Sequence, residues 1–142
     1  MTAVVQPGLA PRQLPAVERD SGFFWTAGEK GILLIQRCAC GSYNHPPLPR
    51  CPFCGGDALA PEPVAGRGRV ATFTVNHQPW RRGMAVPYVF AAVELAEQAE
   101  LYVMTNIVDC APEAVSIGLP VEVQFERHDD VWLPMFRLRG LG

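Results

Sequence analysis

From Gly66 onward the chain is written in short apolar runs separated by polar or turn-forming stretches. RVATFTV (69–75), PYVFAAVEL (87–95), LYVMTNIV (101–108), PVEVQFE (120–126) and VWLPMFRL (131–138) follow one another. Valine, isoleucine, phenylalanine and tyrosine dominate them, and Val121, Val123 and Phe125 alternate with polar residues, the pattern of a sheet with one face packed inward. Gln78 to Gly83, Glu97 to Glu100 and Asp129-Asp130 supply separators. Five such strands predict a closed or partly open barrel, which leaves few edges free to pair with other chains. APEAVSIG (111–118) predicts a short helical turn between the third and fourth strands, stopped by Gly118 and Pro120.

The first part of the chain follows different rules. Prolines at 7, 11 and 15 interrupt any period over residues 1–20, predicting a loosely held arm. Ser21 then suits a helix N-cap for GFFWTAGEK (22–30), about two turns long, with Gly28 and Gly31 limiting its extent. ILLIQR (32–37) reads as a strand running into the first cysteines, and CPFCGG (51–56) as the matching turn on the return side. The predicted organisation is an arm over 1–20, a short helix and ribbon over 21–63, and a barrel over 64–142.

Four of five cysteines fall within seventeen residues, Cys38, Cys40, Cys51 and Cys54, too dense for a long-loop disulfide framework. Two thiolate pairs separated by ten residues can close around one tetrahedral ion, and zinc is the first expectation. A ribbon that has lost its metal, an iron centre and plain reduced thiols are the alternatives. Cys51 and Cys54 have the two-residue gap of a zinc knuckle; Cys38 and Cys40 are spaced by Ala39 alone, a tighter chelate than usual. Four thiolates would fill the coordination sphere, so the metal is expected to be structural rather than catalytic.

Other chemistry-bearing residues are weighed against plainer roles. His45, before Pro46-Pro47, could substitute for a weak cysteine ligand, but a loop position is the simpler reading. Cys110, His77 and His128 lack spaced partners for a nucleophile or an acid–base pair and read as structural. Phe24 and Trp25 in the aromatic helix suit core packing, and, as a second reading, anchors for a partner protein. Trp80, Arg81 and Arg82 put an aromatic and two cations on one loop, a candidate partner or phosphate contact.

Composition narrows the classes. With 49% apolar and 18% charged residues the chain can build a core, yet no apolar run is long enough to span a membrane. Twelve basic against fourteen acidic residues give a net charge of −2, which provides no general field for a nucleic-acid backbone. The first twenty residues carry no export pattern, and clustered thiols suit a reducing compartment, so the cytoplasm is expected.

FFW, ILLIQRCACG, PP, CPFCGG, VATFTV, VPYVFAAVEL, LYVMTNIV, IGLPVEVQFE and LPMFR carry a resemblance running from about Phe23 to Arg137. In these motifs the chain is similar to the zinc-ribbon plus OB-fold proteins associated with acyl-CoA and thiolase-type enzymes, once known as a domain of unknown function. The resemblance implies a mainly β fold: an N-terminal helix, a rubredoxin-like zinc ribbon with structural Zn2+, then a five-stranded OB-fold barrel. It implies an accessory, non-catalytic subunit held in a hetero-oligomer by a thiolase-fold or ketoacyl-synthase-like protein, sometimes lining part of an acyl-CoA substrate passage. The partners of such proteins make or cleave carbon–carbon bonds. The family's first cysteine pair usually spans two residues, where Ala39 stands alone here. An OB-fold nucleic-acid-binding module is the competing class, hinted at by Arg67, Arg69, Arg81 and Arg82.

Overall fold

A computed structural model describes residues 12–140. Part of the expected arm, residues 1–11, lies outside the described residues. The remainder of it is irregular but anchored: the Arg12 guanidinium grips both oxygens of Glu126 and donates to Asn106 Oδ1 at 3.2 Å.

The aromatic segment forms helix α1 (Gly22–Thr26), continued by a 3-10 turn over Ala27–Lys30. Ser21 occupies the cap position without a side-chain hydrogen bond; its carbonyl instead accepts from Phe24 N at 3.1 Å. Gly28 is required by close approach, because a Cβ there would lie 2.5 Å from the Phe125 ring and 2.6 Å from Trp132 Cβ. That contact seats the turn directly on the barrel wall.

The ribbon is a three-stranded antiparallel sheet of β1 (Leu33–Cys38), β2 (Tyr43–Asn44) and β3 (Leu59–Val64), ordered β2-β1-β3. β3 was not legible in LAPEPV because it holds two prolines. Pro61 and Pro63 sit opposite Gln36 and Leu34 on an edge strand, two residues apart, so both missing N–H groups fall on the unpaired side.

The expected five strands form a closed barrel: β4 (Arg67–Asn76), β5 (Tyr88–Leu95), β6 (Tyr102–Val108), β7 (Pro120–His128) and β8 (Val131–Leu138), ordered β4-β5-β6-β8-β7. β4 returns to β7 through Arg67, Gly68 and Arg69, and β6 runs parallel to β8 at Ile107 and Val108. The expected helical turn before β7 is a single 3-10 turn at Pro112–Ala114. Val70, Val93, Val103, Val121 and Phe136 are fully buried inside the barrel, each contributing about 2 kcal/mol by leaving water. Pro134 interrupts the backbone pairing of β8 toward β6, and the buried Thr105 hydroxyl donates to its carbonyl at 3.0 Å.

β8 is buried on both faces. Val131, Leu133 and Met135 point away from the barrel interior into a second cluster completed by Trp25 and Val108. Among the described residues no helix is long and apolar enough to cross a membrane.

Candidate metal centre

Two hairpin tips build the cysteine site. In the first, Cys38 N donates to Ser42 O at 2.8 Å and Gly41 N to Cys38 O at 2.8 Å. In the second, Cys51 N donates to Gly56 O at 2.8 Å and Gly55 N to Cys51 O at 2.9 Å. Gly41 and Gly55 each follow a cysteine of the candidate site at φ of 99° and 76°, the left-handed conformation that lets the chain turn tightly below the sulfurs.

The four Sγ atoms lie within 4.8 Å of one another. Across the two tips Cys38 and Cys54 are 3.6 Å apart, and Cys40 and Cys51 are 3.8 Å apart. A tetrahedron with metal–sulfur bonds of about 2.3 Å has edges of about 3.8 Å, so the donor set fits one zinc-sized ion. Amides point at the sulfurs: Phe53 N to Cys51 at 3.4 Å, Gly56 N to Cys54 at 3.3 Å and Cys40 N to Cys38 at 3.5 Å. In each case the donor is two residues after the sulfur. The short first pair thus makes one residue serve twice, Cys40 giving its amide to Cys38 and its thiol to the cluster.

The thiols are unequal. Hydrogen bonds from the Ser42 side chain and backbone draw Cys40 down to about 6. Cys38 is helped by the Cys40 amide, but burial and the hydrogen bonds of the Cys54, Cys40 and Cys51 side chains push it up to about 12. Cys38 and Cys51 face inward, and Cys40 and Cys54 face solvent.

His45 takes no part in this cluster. Its ring stacks on Phe24 with centroids 4.5 Å apart, and burial lowers its pKa to about 4. Phe24 is only 5% exposed and meets Trp25 edge-on at 4.7 Å, so as a partner anchor it is a correction: the helix turns it inward between His45 and the barrel. Trp25 is half-buried in the same packing. Trp80 is 70% exposed, with Arg81 half-buried and Arg82 exposed beside it. Cys110 is half-buried against the core, with burial and Asp109 raising its pKa.

Sequence reasoning missed one cluster. His128 Nε2 lies 2.7 Å from Glu126 Oε1, the carboxylate that Arg12 also grips. Burial opposes ionisation of Glu126, but hydrogen bonds from Arg12 and His128 outweigh it and hold the carboxyl below its usual range. The spacing of Glu126 and His128, two apart on one strand, was a visible signal; Arg12, more than a hundred residues away, was not.

Residues 25–60 match the family described as ChsH2, rubredoxin-like zinc ribbon domain, and residues 61–126 match ChsH2, C-terminal OB-fold domain. A DUF35 domain-containing scaffold protein of Methanocaldococcus jannaschii is 38% identical over 102 residues, covering 70% of this chain and 71% of that protein. A benzoylsuccinyl-CoA thiolase subunit, BbsA, of Thauera aromatica is 33% identical over 100 residues, 65% of this chain and 69% of that one. A probable enoyl-CoA hydratase alpha subunit of Thermomonospora curvata is 41% identical over 130 residues, 90% of this chain but 40% of that protein, so the chain spans well under half its length. Among solved structures, a chain of the Ltp2-ChsH2(DUF35) aldolase superposes with a TM-score of 0.78 at 38% identity, covering 88% of this chain and 98% of that one.

Proposed function

We infer from one premise, that the chain belongs to the ChsH2 (DUF35) family of zinc-ribbon and OB-fold proteins, that it is a non-catalytic scaffolding subunit of an acyl-CoA-processing complex. The observation that carries this reading is the superposition of ribbon and barrel together on a chain of a two-component aldolase. The partner we propose is a thiolase-fold or ketoacyl-synthase-like enzyme that makes or breaks a carbon–carbon bond on an acyl-CoA. The thiolase-subunit relative supports that choice.

Zn2+ is the metal we propose, held by Cys38, Cys40, Cys51 and Cys54. Four sulfur ligands leave no open position for water, so its contribution is to clamp the two hairpin tips and with them the ribbon. Reduced thiols in such a site suit a cytoplasmic protein. Trp80, Arg81 and Arg82 form the proposed partner contact, since the loop offers a large aromatic face without use in the core.

The hydratase alpha subunit favours a second reading, in which the same scaffold serves a hydratase acting on an enoyl-CoA. Affinity purification from the native cell separates the two by the partner recovered. Turnover of an acyl-CoA thioester by the isolated chain, or repeated recovery of neither enzyme class, would sink the scaffold reading.

A further inference from the structure

On the barrel end nearest the ribbon, the turn between β5 and β6 and the start of β4 enclose an open cleft of about 420 Å³, within the range of ligand pockets, about 300–1,000 Å³. Three guanidinium groups border it: Arg67, Arg69 and Arg139. The fold gathers them from distant parts of the chain. Arg67 and Arg69 project two apart from β4, Arg69 pairs across to Pro120, and Pro120 O accepts from Arg139 N at 2.9 Å. Arg67 O accepts from Ala96 N at 2.9 Å, which fixes the opposite wall.

Charge inside the cleft is unbalanced. Glu94 is its carboxylate, and it is engaged by Arg69 at 2.8 Å and by Glu100 N at 2.8 Å. Glu122, opposite Arg67 in register, is paired to Arg137 at 3.1 Å. Among the described residues Arg67 and Arg139 therefore have no carboxylate partner, on a chain whose net charge is −2. Gly68 adds bare backbone between the two β4 arginines, where a Cβ would come within 2.2 Å of Glu94 O.

We propose that this cleft binds a phosphate monoester. A dianionic phosphate answers two unpaired, forked guanidinium donors in charge and geometry, whereas a single carboxylate satisfies only one. Two sources share that chemistry: the 3′-phosphate on the nucleotide end of coenzyme A, and free inorganic phosphate. The coenzyme A source rests on the acyl-CoA reading above; the cleft itself does not, and a chain that recovers its enzyme partner yet binds no phosphate would sink the cleft alone.

The test is amide NMR titration of the full chain with coenzyme A, dephospho-coenzyme A, inorganic phosphate and a single-stranded oligonucleotide. Coenzyme A is expected to move the amides of Gly68, Ala96 and Ala99 and to leave the Trp80 loop in place. Arg67→Gln and Arg139→Gln, both at exposed residues, should each weaken it about tenfold, as loss of a charge-assisted contact does. Removing the phosphate from the ligand should do the same on the unaltered protein. Free phosphate binding as tightly as coenzyme A would keep the site and assign it to the inorganic anion. The proposal is overturned if neither anion moves these amides up to about 10 mM, if dephospho-coenzyme A binds as well as coenzyme A while phosphate does not bind, if both variants bind like the parent, or if the oligonucleotide outcompetes both anions there.

Discussion

The side-chain amide of Gln98 does for Tyr43 what a neighbouring strand would do: its Oε1 accepts from Tyr43 N at 2.9 Å and its Nε2 donates to Tyr43 O at 2.8 Å. Gln98 sits in the β5–β6 turn of the barrel and Tyr43 in the two-residue β2 of the ribbon, so one side chain ties the two halves together. Gln98→Ala should lower unfolding free energy by about 2 kcal/mol, the net worth of two hydrogen bonds. Gln98→Glu should cost at least as much, because a carboxylate cannot donate to the Tyr43 carbonyl. Urea titration of both variants checks the order.

The sulfur geometry sets a second expectation. Cys38 is as close to its neighbours as the other ligands are, despite the single-residue spacing to Cys40. Cys38→Ser should therefore cost as much of the proposed zinc as Cys51→Ser, each falling well below a full equivalent by elemental analysis. Because binding energy here is folding energy, chelation should unfold the ribbon while barrel signals persist.

Protonation of His45 supplies a pH dependence. Burial lowers its pKa from 6.5 to about 4 in the folded protein, so the unfolded chain binds the extra proton first. Stability is then complete above pH 6.5 and falls as pH drops toward 4, by about 3 kcal/mol over the window. His45→Gln should flatten the slope of stability between pH 6.5 and 5, above the range where carboxylates titrate strongly. An unchanged slope would assign the loss to other groups.

Two tryptophans should behave oppositely. Trp25→Ala removes a ring from the cluster over β8 and should destabilise by about 3 kcal/mol. Trp80→Ala, at a side chain 70% exposed, should leave the thermal midpoint within a degree or so and weaken capture of the proposed partner enzyme. Thermal melts read alongside pull-downs separate the two effects.

What the sequence disclosed follows the range of the interactions. The barrel strands were legible because each carries its own β-rich composition, and the cysteine cluster because ligand spacing is local. β3 was hidden by prolines that only an edge position tolerates. The inward turn of Phe24 depends on His45, more than twenty residues ahead, arriving to stack on it. Arg12 meeting Glu126, and Gln98 meeting Tyr43, are matched across the whole fold, and no short window contains both partners.

The uneven pairing around the barrel gives it the mechanics of a hoop closed by two clasps. β7 and β8 pair continuously from Val121 to Leu138, and β4 and β5 pair along their length with one break in register between Val70 and Thr72. Ladder pairing joins them through two short stretches, where β6 meets β8 at Ile107 and Val108 and where β4 meets β7 from Arg67 to Arg69, the latter extended by backbone hydrogen bonds of Gly66 with Val123 and of Val70 with Gly118 and Leu119. A fluctuation that springs either clasp frees a whole hairpin at little cost in backbone hydrogen bonds, so amide exchange should start at these seams and reach the hairpin interiors last. The second clasp is built from two of the arginines that border the proposed phosphate cleft, so an anion seated there would act as a rivet across the seam and slow the exchange of its amides.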